Sequence, residues 1–345
     1  LQVGYDEYFD IGQSAWAGSK YNPVERIVKK LDDSIQFVDN CGNTIKRIND
    51  IIKQENVAKK DFGDELTNIV NYLNNISLKD GIISQKLWLP SLQKNILLND
   101  LLKKYQYSTK ELNFNPVLGE YDAPRDQKQG LLTVDLIKDG NMLIFGNGGS
   151  GKENILSTLI FNLSIYHSPL EINIYIGDFG AETLKNFKKF PQVGDVFTIE
   201  EKDKLENLIK MLDKELERRK KEYSDFGGNY LEYCKLSGKK DAFILIILNN
   251  YENFCETYTR MSDVFVPFFR DGSKYGINFI LSTTVQSSVR GRILQNFLTR
   301  ICLKMPNDYD YRDLLGAPKG MIPADNFGRG IISIDGNNIY EFQTA

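Results

Sequence analysis

The sequence predicts a mixed α/β protein in which helices cover a mostly parallel sheet, preceded by a helical linker. From about Phe114 onward, short runs that are apolar at every position alternate with longer segments of helical periodicity. Strands of that kind are buried on both faces, and the helices between them supply the crossovers that parallel pairing requires. At 345 residues the chain is also longer than one hydrophobic core usually serves, so we expect two domains or one domain with a large appendage.

The composition is that of an ordinary globular protein. Hydrophobic residues make up 41% of the chain and charged residues 26%, and the net charge is −3. A protein that follows a nucleic-acid backbone usually presents a net basic surface, so this charge argues against DNA as the substrate. The longest apolar run, Ala242–Leu248, is far shorter than the ~20 residues that a transmembrane helix needs, and we expect a soluble fragment.

Cysteine and histidine usage argues against several kinds of chemistry. The four cysteines show no C-x-x-C spacing and lie beside apolar or helical stretches, which favours buried thiols in a reducing compartment. They are Cys41, Cys234, Cys255 and Cys302. His167 is the single histidine, and zinc sites and Ser-His triads need more than that.

The first 112 residues differ in character from the rest. Residues 1–20 alternate apolar and polar positions before a turn rich in small residues, which indicates the closing segment of a preceding unit. The chain opens without Met inside that pattern, so we interpret it as a piece of a longer protein. Residues 21–112 are rich in Lys, Asp and Asn, and their apolar spacing predicts two or three amphipathic helices in a linker. The spaced apolar residues are Ile45, Ile48, Ile51, Ile52, Leu66, Ile69, Val70 and Leu73.

Residues 113–345 have the pattern of a separate α/β module. Val117–Tyr121 and Leu131–Leu136 bracket a polar turn, as the strands of a hairpin would. Between later strands, Leu205–Leu216 carries apolar residues on one face and Lys, Glu and Arg on the other, which is typical of a helix with a solvated face. The further predicted strands are Asn141–Phe145, Ile172–Ile176, Phe243–Leu248, Ile277–Leu281, Ile301–Lys304 and Ile331–Ile334.

A glycine-rich loop directly follows the predicted strand Asn141–Phe145 and opens a helix. Glycines let successive backbone N–H groups turn toward one anion, the helix N-terminus adds partial positive charge, and Lys152 supplies a point charge for the outer phosphates. Because the spacing, the lysine and both flanking elements agree, the sequence predicts a RecA-like P-loop module that binds ATP, with Mg²⁺ as a candidate companion. The loop residues are Gly146, Asn147, Gly148, Gly149, Ser150, Gly151, Lys152 and Glu153.

Two parts of this predicted site depart from the usual pattern. Glu153 stands where a Ser or Thr hydroxyl holds magnesium, and a carboxylate beside a triphosphate is repulsive unless a cation lies between them. The strand Phe243–Leu248 ends in Asn249 and Asn250 instead of the acidic residues of a Walker B motif. Loss of such groups commonly costs ~10²–10³ in rate, so we expect nucleotide binding with weak or absent hydrolysis. The alternative is a working ATPase in which Glu153 or Glu252 replaces the missing groups.

Three further candidates lie near the ends of later strands. Thr283 and Thr284 follow Ile277–Leu281, where a polar sensor of the γ-phosphate belongs. Arg300 is a candidate for reaching the nucleotide of a neighbouring module. The ordinary alternative for such an arginine is a surface charge.

Four segments together resemble the FtsK/SpoIIIE class of ATPases: Gly146–Lys152, Ile244–Glu252, Arg270–Thr283 and Gly328–Thr344. More narrowly, the chain resembles the membrane-anchored ATPases of type VII secretion, which carry three such modules in a row. Residues 1–20 resemble the closing segment of one module, and residues 113–345 resemble the next. We assign the latter to the second module, because the first module of these ATPases has an intact phosphate loop.

The resemblance implies a part in an ATP-driven protein translocase at the cytoplasmic face of the cell membrane. It implies assembly as a hexamer, anchorage through a preceding N-terminal part, and export of small helical-hairpin proteins of the Trp-Xaa-Gly type. Only Gly146, Gly151 and Lys152 match the family's nucleotide-binding pattern residue by residue. Glu153 and Asn249 depart from it, so the resemblance does not imply catalysis by this module. The resemblance favours a module that regulates the motor and docks exported substrates. A DNA translocase module, which the acidic net charge disfavours, and a scaffold without nucleotide are the alternatives.

Overall fold

The computed structural model describes the greater part of the chain. The described residues are 2–3, 8–9, 12–16, 18–21, 37–45, 63–82, 88–108, 113–259, 262–289, 291–318, 320–334 and 338–345. Contacts between residues divide the chain into two compact units, Leu1–Lys86 and Leu87–Ala345. Each unit is described by itself below.

The first unit has a two-stranded sheet and a helix among its described residues. Strands β1 (Gln2–Val3) and β2 (Tyr8–Phe9) pair antiparallel. Helix α1 (Glu65–Lys79) begins after Asp64, whose side chain accepts a hydrogen bond of 2.7 Å from an amide of the first turn. This helix contains the apolar spacing predicted from Leu66 to Leu73, and these side chains are exposed in the described unit.

Residues 37–45 form a short polar turn. Ile45 closes it, with its amide donating to the carbonyl of Phe37 at 2.7 Å. The remainder of the helix predicted here, which comprises Ile48, Ile51 and Ile52, lies outside the described residues. Cys41 is exposed in this turn, so the prediction of a buried thiol is wrong for this cysteine. The turn is held by the side chain of Asp39 rather than by an apolar core, which leaves the thiol uncovered.

The second unit contains the α/β module. Its described strands are β3 (Val117–Ala123), β4 (Lys128–Thr133), β5 (Met142–Phe145), β6 (Ile172–Asp178), β7 (Val193–Phe197), β8 (Phe243–Asn249), β9 (Ile277–Thr283), β10 (Thr299–Cys302), β11 (Arg329–Ile334) and β12 (Asn338–Thr344). Its described helices are α2 (Leu98–Lys104), α3 (Lys152–Tyr166), α4 (Lys202–Tyr223), α5 (Tyr230–Leu236), α6 (Tyr251–Thr257), α7 (Val266–Asp271), α8 (Gly291–Leu294) and α9 (Asp308–Leu315). Among the helices described in either unit, none is long and apolar enough to cross a membrane.

One sheet of 10 strands runs through the module in the order β4-β3-β12-β11-β10-β5-β9-β8-β6-β7. The strands from β10 to β7 in that order pair parallel, and the remaining four extend the sheet with antiparallel pairs. The predicted fold class, a mostly parallel sheet with helices, is confirmed. The predicted hairpin is present as β3 and β4.

Strand β8 explains why helices must cover both faces of the sheet. All of its residues are buried, and successive side chains on a strand point to opposite faces. One apolar cluster contains Phe243, Leu245 and Ile247, and the other contains Ile244, Ile246 and Leu248. Helix α3 packs into the first cluster and helix α4 into the second. The apolar run that predicted a doubly buried strand therefore lies between two helical layers.

Strands β7 and β12 are absent from the predicted set. In β7 the apolar run is interrupted by Gly194 and Asp195, and this strand lies at the edge of the sheet, where fewer positions are buried. In β12 Tyr340 and Glu341 separate Ile339 from Phe342, so the strand has no continuous aliphatic run, and it pairs with β11 and β3. Sheet neighbours, rather than local apolar content, determine both strands.

Candidate nucleotide-binding site

The glycine-rich loop lies at the carboxyl end of β5, in the parallel part of the sheet. Residues 146–151 form the turn between β5 and α3. The amide of Gly146 donates to the carbonyl of Thr283 on β9 at 3.2 Å, and the amide of Asn147 donates to the carbonyl of Lys304, which follows β10, at 2.8 Å. The two neighbouring strands therefore position the start of the loop.

Glycine is required at two positions of this loop. Gly149 and Gly151 have φ angles of 74° and 105°, in the region that favours glycine. A Cβ atom on Gly151 would also lie 2.9 Å from the Cα of Gly328. The space around Gly148 and Gly149 is open within 4 Å, and the N-cap of α3 is Gly151, which has no side chain to cap the helix. Backbone amides and the helix N-terminus thus border an open cradle that fits a phosphate group.

Lys152 is buried inside the loop, with 1% of its surface exposed. Its Nζ donates to the carbonyl oxygens of Gly146 at 2.7 Å and Asn147 at 3.1 Å. Burial lowers the pKa of Lys152, and the carboxylates of Glu153 and Glu252 counteract part of that effect. The ammonium group is therefore held by the carbonyls of its own loop, and a polyphosphate would compete with them for it.

We expect the fall in ATP affinity with rising pH to set in at a lower pH than for an ordinary lysine, whose pKa is 10.5, because burial lowers the pKa of Lys152. A neutral amine no longer attracts phosphate oxygens, and the affinity then falls by up to about tenfold per pH unit. Isothermal titration calorimetry with ATP across an alkaline pH series measures this. Lys152→Arg, which stays charged, is the control, and a fall in affinity whose midpoint lies at or above pH 10.5 would contradict the expectation.

Asn249 at the end of β8 bridges the ends of two neighbouring strands. Its Nδ2 donates to Oδ1 of Asp178 on β6 at 2.9 Å, and its Oδ1 accepts from the hydroxyl of Ser282 on β9 at 2.5 Å. Asp178 and Asn249 are each 1% exposed, and Ser282 is fully buried. Oδ2 of Asp178 accepts in turn from the amide of Leu184 at 3.0 Å. Both polar ends of the Asn249 amide are therefore engaged in holding the strand ends together.

Glu252 is an acidic side chain whose charge acts on Lys152. Its Oε1 accepts from the amide and the hydroxyl of Thr284 at 3.2 Å and 2.7 Å. Its Oε2 is buried and has no hydrogen-bond partner within the described part of the chain. Asn250, just before α6, has a φ of 56°, and its buried Oδ1 likewise has no partner there. Thr284 thus orients the Glu252 carboxylate through Oε1, and Oε2 remains able to accept a hydrogen bond.

A magnesium ion would have few protein ligands at this site. In the residue ranges that the structure describes, no group of three or more His, Cys, Asp or Glu side chains is placed to hold a metal ion. Glu153 is half-buried in the first turn of α3, and Glu252 has the unpaired Oε2. These carboxylates fit a cation that is held mainly by phosphate oxygens, whereas the engaged amide of Asn249 does not.

Thr283 and Arg300 are bonded within the module. The hydroxyl of Thr283 donates to the carbonyl of Val285 at 3.1 Å and lies 2.8 Å from the hydroxyl oxygen of Ser288. The guanidinium of Arg300 is partly buried, and this burial lowers its pKa. It donates at 2.9, 3.0 and 3.1 Å to the carbonyls of Leu314, Phe297 and Leu294. This geometry favours a structural role for Arg300 in the arrangement described.

Gly328 lies against the phosphate loop, although no sequence pattern predicts this. Its amide donates to the carbonyl of Ser150 at 3.0 Å, and its φ is 72°. In the sequence it is a glycine before an apolar run, which does not differ from an ordinary turn signal. The partnership of Asp178 with Asn249 likewise depends on the strand order β6-β8-β9.

A glycine-rich phosphate loop at the carboxyl end of a central strand in a largely parallel sheet defines a RecA-like P-loop NTPase module. The chain belongs to the FtsK/SpoIIIE family, whose model matches residues 106–317. It is 27% identical over 350 residues to the type VII secretion system protein EssC of Staphylococcus aureus strain Mu50, and the match covers 98% of this chain and 23% of that protein. The chain thus spans about a quarter of the length of the curated relatives it matches.

Two solved structures share this fold. EssC (ATPases 2 and 3) from Geobacillus thermodenitrificans matches with a TM-score of 0.67 and 26% identity, covering 74% of this chain and 47% of that chain. EccC (ATPases 2 and 3) from Thermomonospora curvata, in complex with a signal sequence peptide, matches with a TM-score of 0.59 and 25% identity, covering 69% and 44%. The resemblance to type VII secretion ATPases that the sequence indicated is confirmed.

Proposed function

We propose that residues 113–345 are a degenerate ATP-binding module, the second of three, in a type VII secretion motor. The module binds ATP, hydrolyses it weakly or not at all, and regulates the motor through its nucleotide state. The observation that carries this proposal is Asn249, which stands at the Walker B position with both polar ends of its amide bonded to Asp178 and Ser282.

The loop supplies the elements of binding. Backbone amides around Gly148 and Gly149 and the N-terminus of α3 bind phosphate oxygens, and Lys152 provides a positive charge at the same place. Glu153 and Glu252 add negative charge nearby, which favours a nucleotide that arrives with a cation. When bound, Mg²⁺ would neutralise phosphate charge.

Weak hydrolysis follows from the groups that replace the acidic pair. An amide brings no charge to a metal ion and cannot accept the proton of an attacking water molecule. A second candidate function, a working ATPase, is favoured by one observation: Oε2 of Glu252 is buried and has no partner among the described residues. If Glu252 is a general base, Glu252→Gln abolishes turnover and preserves ATP binding.

The wider role of the protein is part of the same proposal. The FtsK/SpoIIIE membership and the likeness to EssC support a motor at the cytoplasmic face of the cell membrane, assembled as a hexamer with neighbouring modules. The EccC structure holds a signal sequence peptide, which supports docking of small helical-hairpin substrates here as well. Fluorescence anisotropy with a labelled signal peptide tests that part, and absence of binding to the purified protein removes docking from the proposal.

We expect the protein to bind ATP without releasing phosphate, and Lys152→Ala to abolish the binding. Loss of the ammonium group removes the point charge for the outer phosphates and empties a buried position in the loop. Isothermal titration calorimetry with and without Mg²⁺, together with a phosphate-release assay, measures both quantities. ATP at ~100 times its Kd should also add about 2.7 kcal/mol to the free energy of unfolding, and this gain should vanish in the mutant.

Lys210→Ala is the matched control, because Lys210 is an exposed lysine of α4, and α4 packs into a different core cluster from α3, the helix that begins at the loop. It should leave ATP binding unchanged. Phosphate release at an ordinary rate, lost in Lys152→Ala, would establish the working ATPase instead. Absence of ATP binding by the unaltered protein would identify a scaffold whose loop no longer holds nucleotide.

A further inference from the structure

Phe327 is an exposed phenylalanine that lies beside the phosphate loop. Its surface is 61% exposed. A Cβ atom on Gly151 would lie 3.6 Å from Cζ of this ring, so the tip of the ring lies close to the start of α3. Single exposed apolar side chains are common on protein surfaces, and exposure alone assigns nothing. The position of the ring beside an open phosphate cradle is what distinguishes it.

The backbone that carries Phe327 is fixed to the loop and to β12. The amide of Gly328 donates to the carbonyl of Ser150 at 3.0 Å, which joins this segment directly to the loop. The side chain of Gln343 donates through Nε2 to the carbonyl of Phe327 at 2.8 Å. Thr344 donates through its amide at 2.9 Å and its hydroxyl at 2.8 Å to the carbonyl of Gly328. The ring therefore projects from a rigid support whose position follows that of the loop.

The same strand end is also bonded to α3. The carbonyl of Ala345 accepts from Nδ2 of Asn154 at 3.2 Å and from the hydroxyl of Thr158 at 2.8 Å. Both residues belong to the first two turns of α3, directly after Lys152. The segment that carries Phe327 and the helix that begins at the loop thus form one connected frame, with the aromatic ring at its solvent-exposed side.

We propose that Phe327 is the platform on which the base of the bound nucleotide stacks. This inference rests on the proposed function, since it requires a nucleotide whose phosphates occupy the loop. A nucleobase is planar and presents a π-face, and an exposed aromatic ring on a rigid support is the protein group that such a face stacks on. Stacking of this kind does not depend on hydrogen bonds to the base edge, so ATP and GTP both use the platform.

The test compares nucleotides with inorganic triphosphate, which has no base. We expect Phe327→Ala to lower the affinity for ATP and for GTP by about 5- to 150-fold, which is the equivalent of about 1–3 kcal/mol per stacked base. The affinity for triphosphate should stay unchanged. Phe327→Trp should restore the affinity for ATP, and its fluorescence should change on adding ATP but not on adding triphosphate. Isothermal titration calorimetry and tryptophan fluorescence provide the measurements.

Phe161→Ala is the matched control. Phe161 is another exposed phenylalanine, 43% exposed, on α3 itself but about 13 Å along the helix from Lys152. Its replacement should leave all affinities unchanged. Because Phe327 is exposed, Phe327→Ala should also keep the melting temperature of the unaltered protein, which separates lost stacking from lost folding.

Three outcomes would overturn the inference. If Phe327→Ala lowers the affinity for triphosphate as much as the affinity for ATP, the residue acts by shaping the loop and contacts no base. If ATP binding is unchanged, the ring has another use, such as contact with a protein partner. If the unaltered protein binds neither ATP nor triphosphate, the proposed function itself fails and this inference falls with it. That last result is distinguishable because it appears before any substitution is made.

Discussion

Asn249→Asp, which restores the acidic residue of a Walker B motif, is expected to destabilise the protein by about 3–5 kcal/mol. Nδ2 of Asn249 lies 2.9 Å from Oδ1 of Asp178, and each residue is 1% exposed. An aspartate would place a second carboxylate against the first in a site closed to water. Two carboxylates in such contact cannot both stay ionised, so the pKa of one of them is raised. Chemical denaturation monitored by circular dichroism measures the loss.

The pH dependence of that loss identifies its cause. A carboxyl group whose pKa is raised in the folded protein contributes stability below its unfolded pKa, near about 3.9, and loses it as the pH rises through the folded value. The deficit of Asn249→Asp should therefore shrink as the pH falls toward that value. Asn249→Ala removes the bridge without adding charge and should show no such trend relative to the unaltered protein.

The paired substitution Asp178→Asn with Asn249→Asp is the matched test. It keeps one carboxylate and one amide in contact. The backbone amide of Leu184 can still donate to a side-chain oxygen at position 178, and the hydroxyl of Ser282 can still donate to one at position 249. We expect the double mutant to recover most of the stability, so the coupling in the double-mutant cycle should be about 3 kcal/mol or more, at the upper end of the usual range. Additive losses would show that the two side chains do not interact as described.

A functional expectation follows from the same geometry. Because Asp178 and Ser282 already engage the side chain at this position, Asn249→Asp should not restore ATP hydrolysis by itself. A phosphate-release assay on the single mutant measures this. Turnover at an ordinary rate in a stable Asn249→Asp protein would contradict both the stability expectation and this functional one. It would also show that the amide at position 249 is by itself what limits hydrolysis in the unaltered protein.

Arg219→Met is expected to lower the free energy of unfolding by a similar amount, about 3–5 kcal/mol. The residue has no part in the proposed nucleotide site. Arg219 on α4 is 1% exposed. Its guanidinium donates to Oε1 of Glu215 at 2.8 Å and to the carbonyls of Ala242 at 2.6 Å and Tyr275 at 2.7 Å. Methionine retains much of the apolar stem but takes the donor away from these partly buried carbonyls and the buried partner away from Glu215, and each group left unsatisfied costs about 1–3 kcal/mol. Urea denaturation measures the difference.

The neighbouring Arg218 provides the matched control. Its side chain is 37% exposed, and it pairs with Glu215, Glu222 and Asp241. Ion pairs in contact with solvent contribute about 0–1 kcal/mol, so Arg218→Met should have a small effect. Equal losses for the two substitutions would show that burial of the guanidinium does not determine the energy.

The candidate site was predictable where its chemistry is local. The loop from Gly146 to Lys152 is contiguous, and glycines next to a lysine after an apolar strand have one common use in an α/β protein. The substitutions at Glu153 and Asn249 were visible for the same reason, because the family pattern specifies which residue type belongs at each position. Their catalytic consequence remains a prediction that the phosphate-release assay decides.

The remaining features of the site join residues that are far apart in sequence. Asn249 is bonded to Asp178 across 71 positions and to Ser282 across 33. Thr284 was predicted as a phosphate sensor, and in the structure it orients Glu252 across 32 positions. Sequence patterns carry no information on which polar groups meet once strands are ordered in a sheet, so these partnerships required the fold.

The sequence alone determined the fold class, most strands, the amphipathic face of α4 and the place of the phosphate loop, because periodicity and glycine content act over neighbouring residues. It predicted the charged face of α4 as solvated, and Arg219 is buried there because the segments that precede β8 and β9 bring the carbonyls of Ala242 and Tyr275 against it. The tertiary structure alone decided that Asn249 is a bridge, that Thr284 orients Glu252 and that Phe327 lies beside the loop. Each of these depends on the order of strands in the sheet, and that order is set by the packing of the whole module.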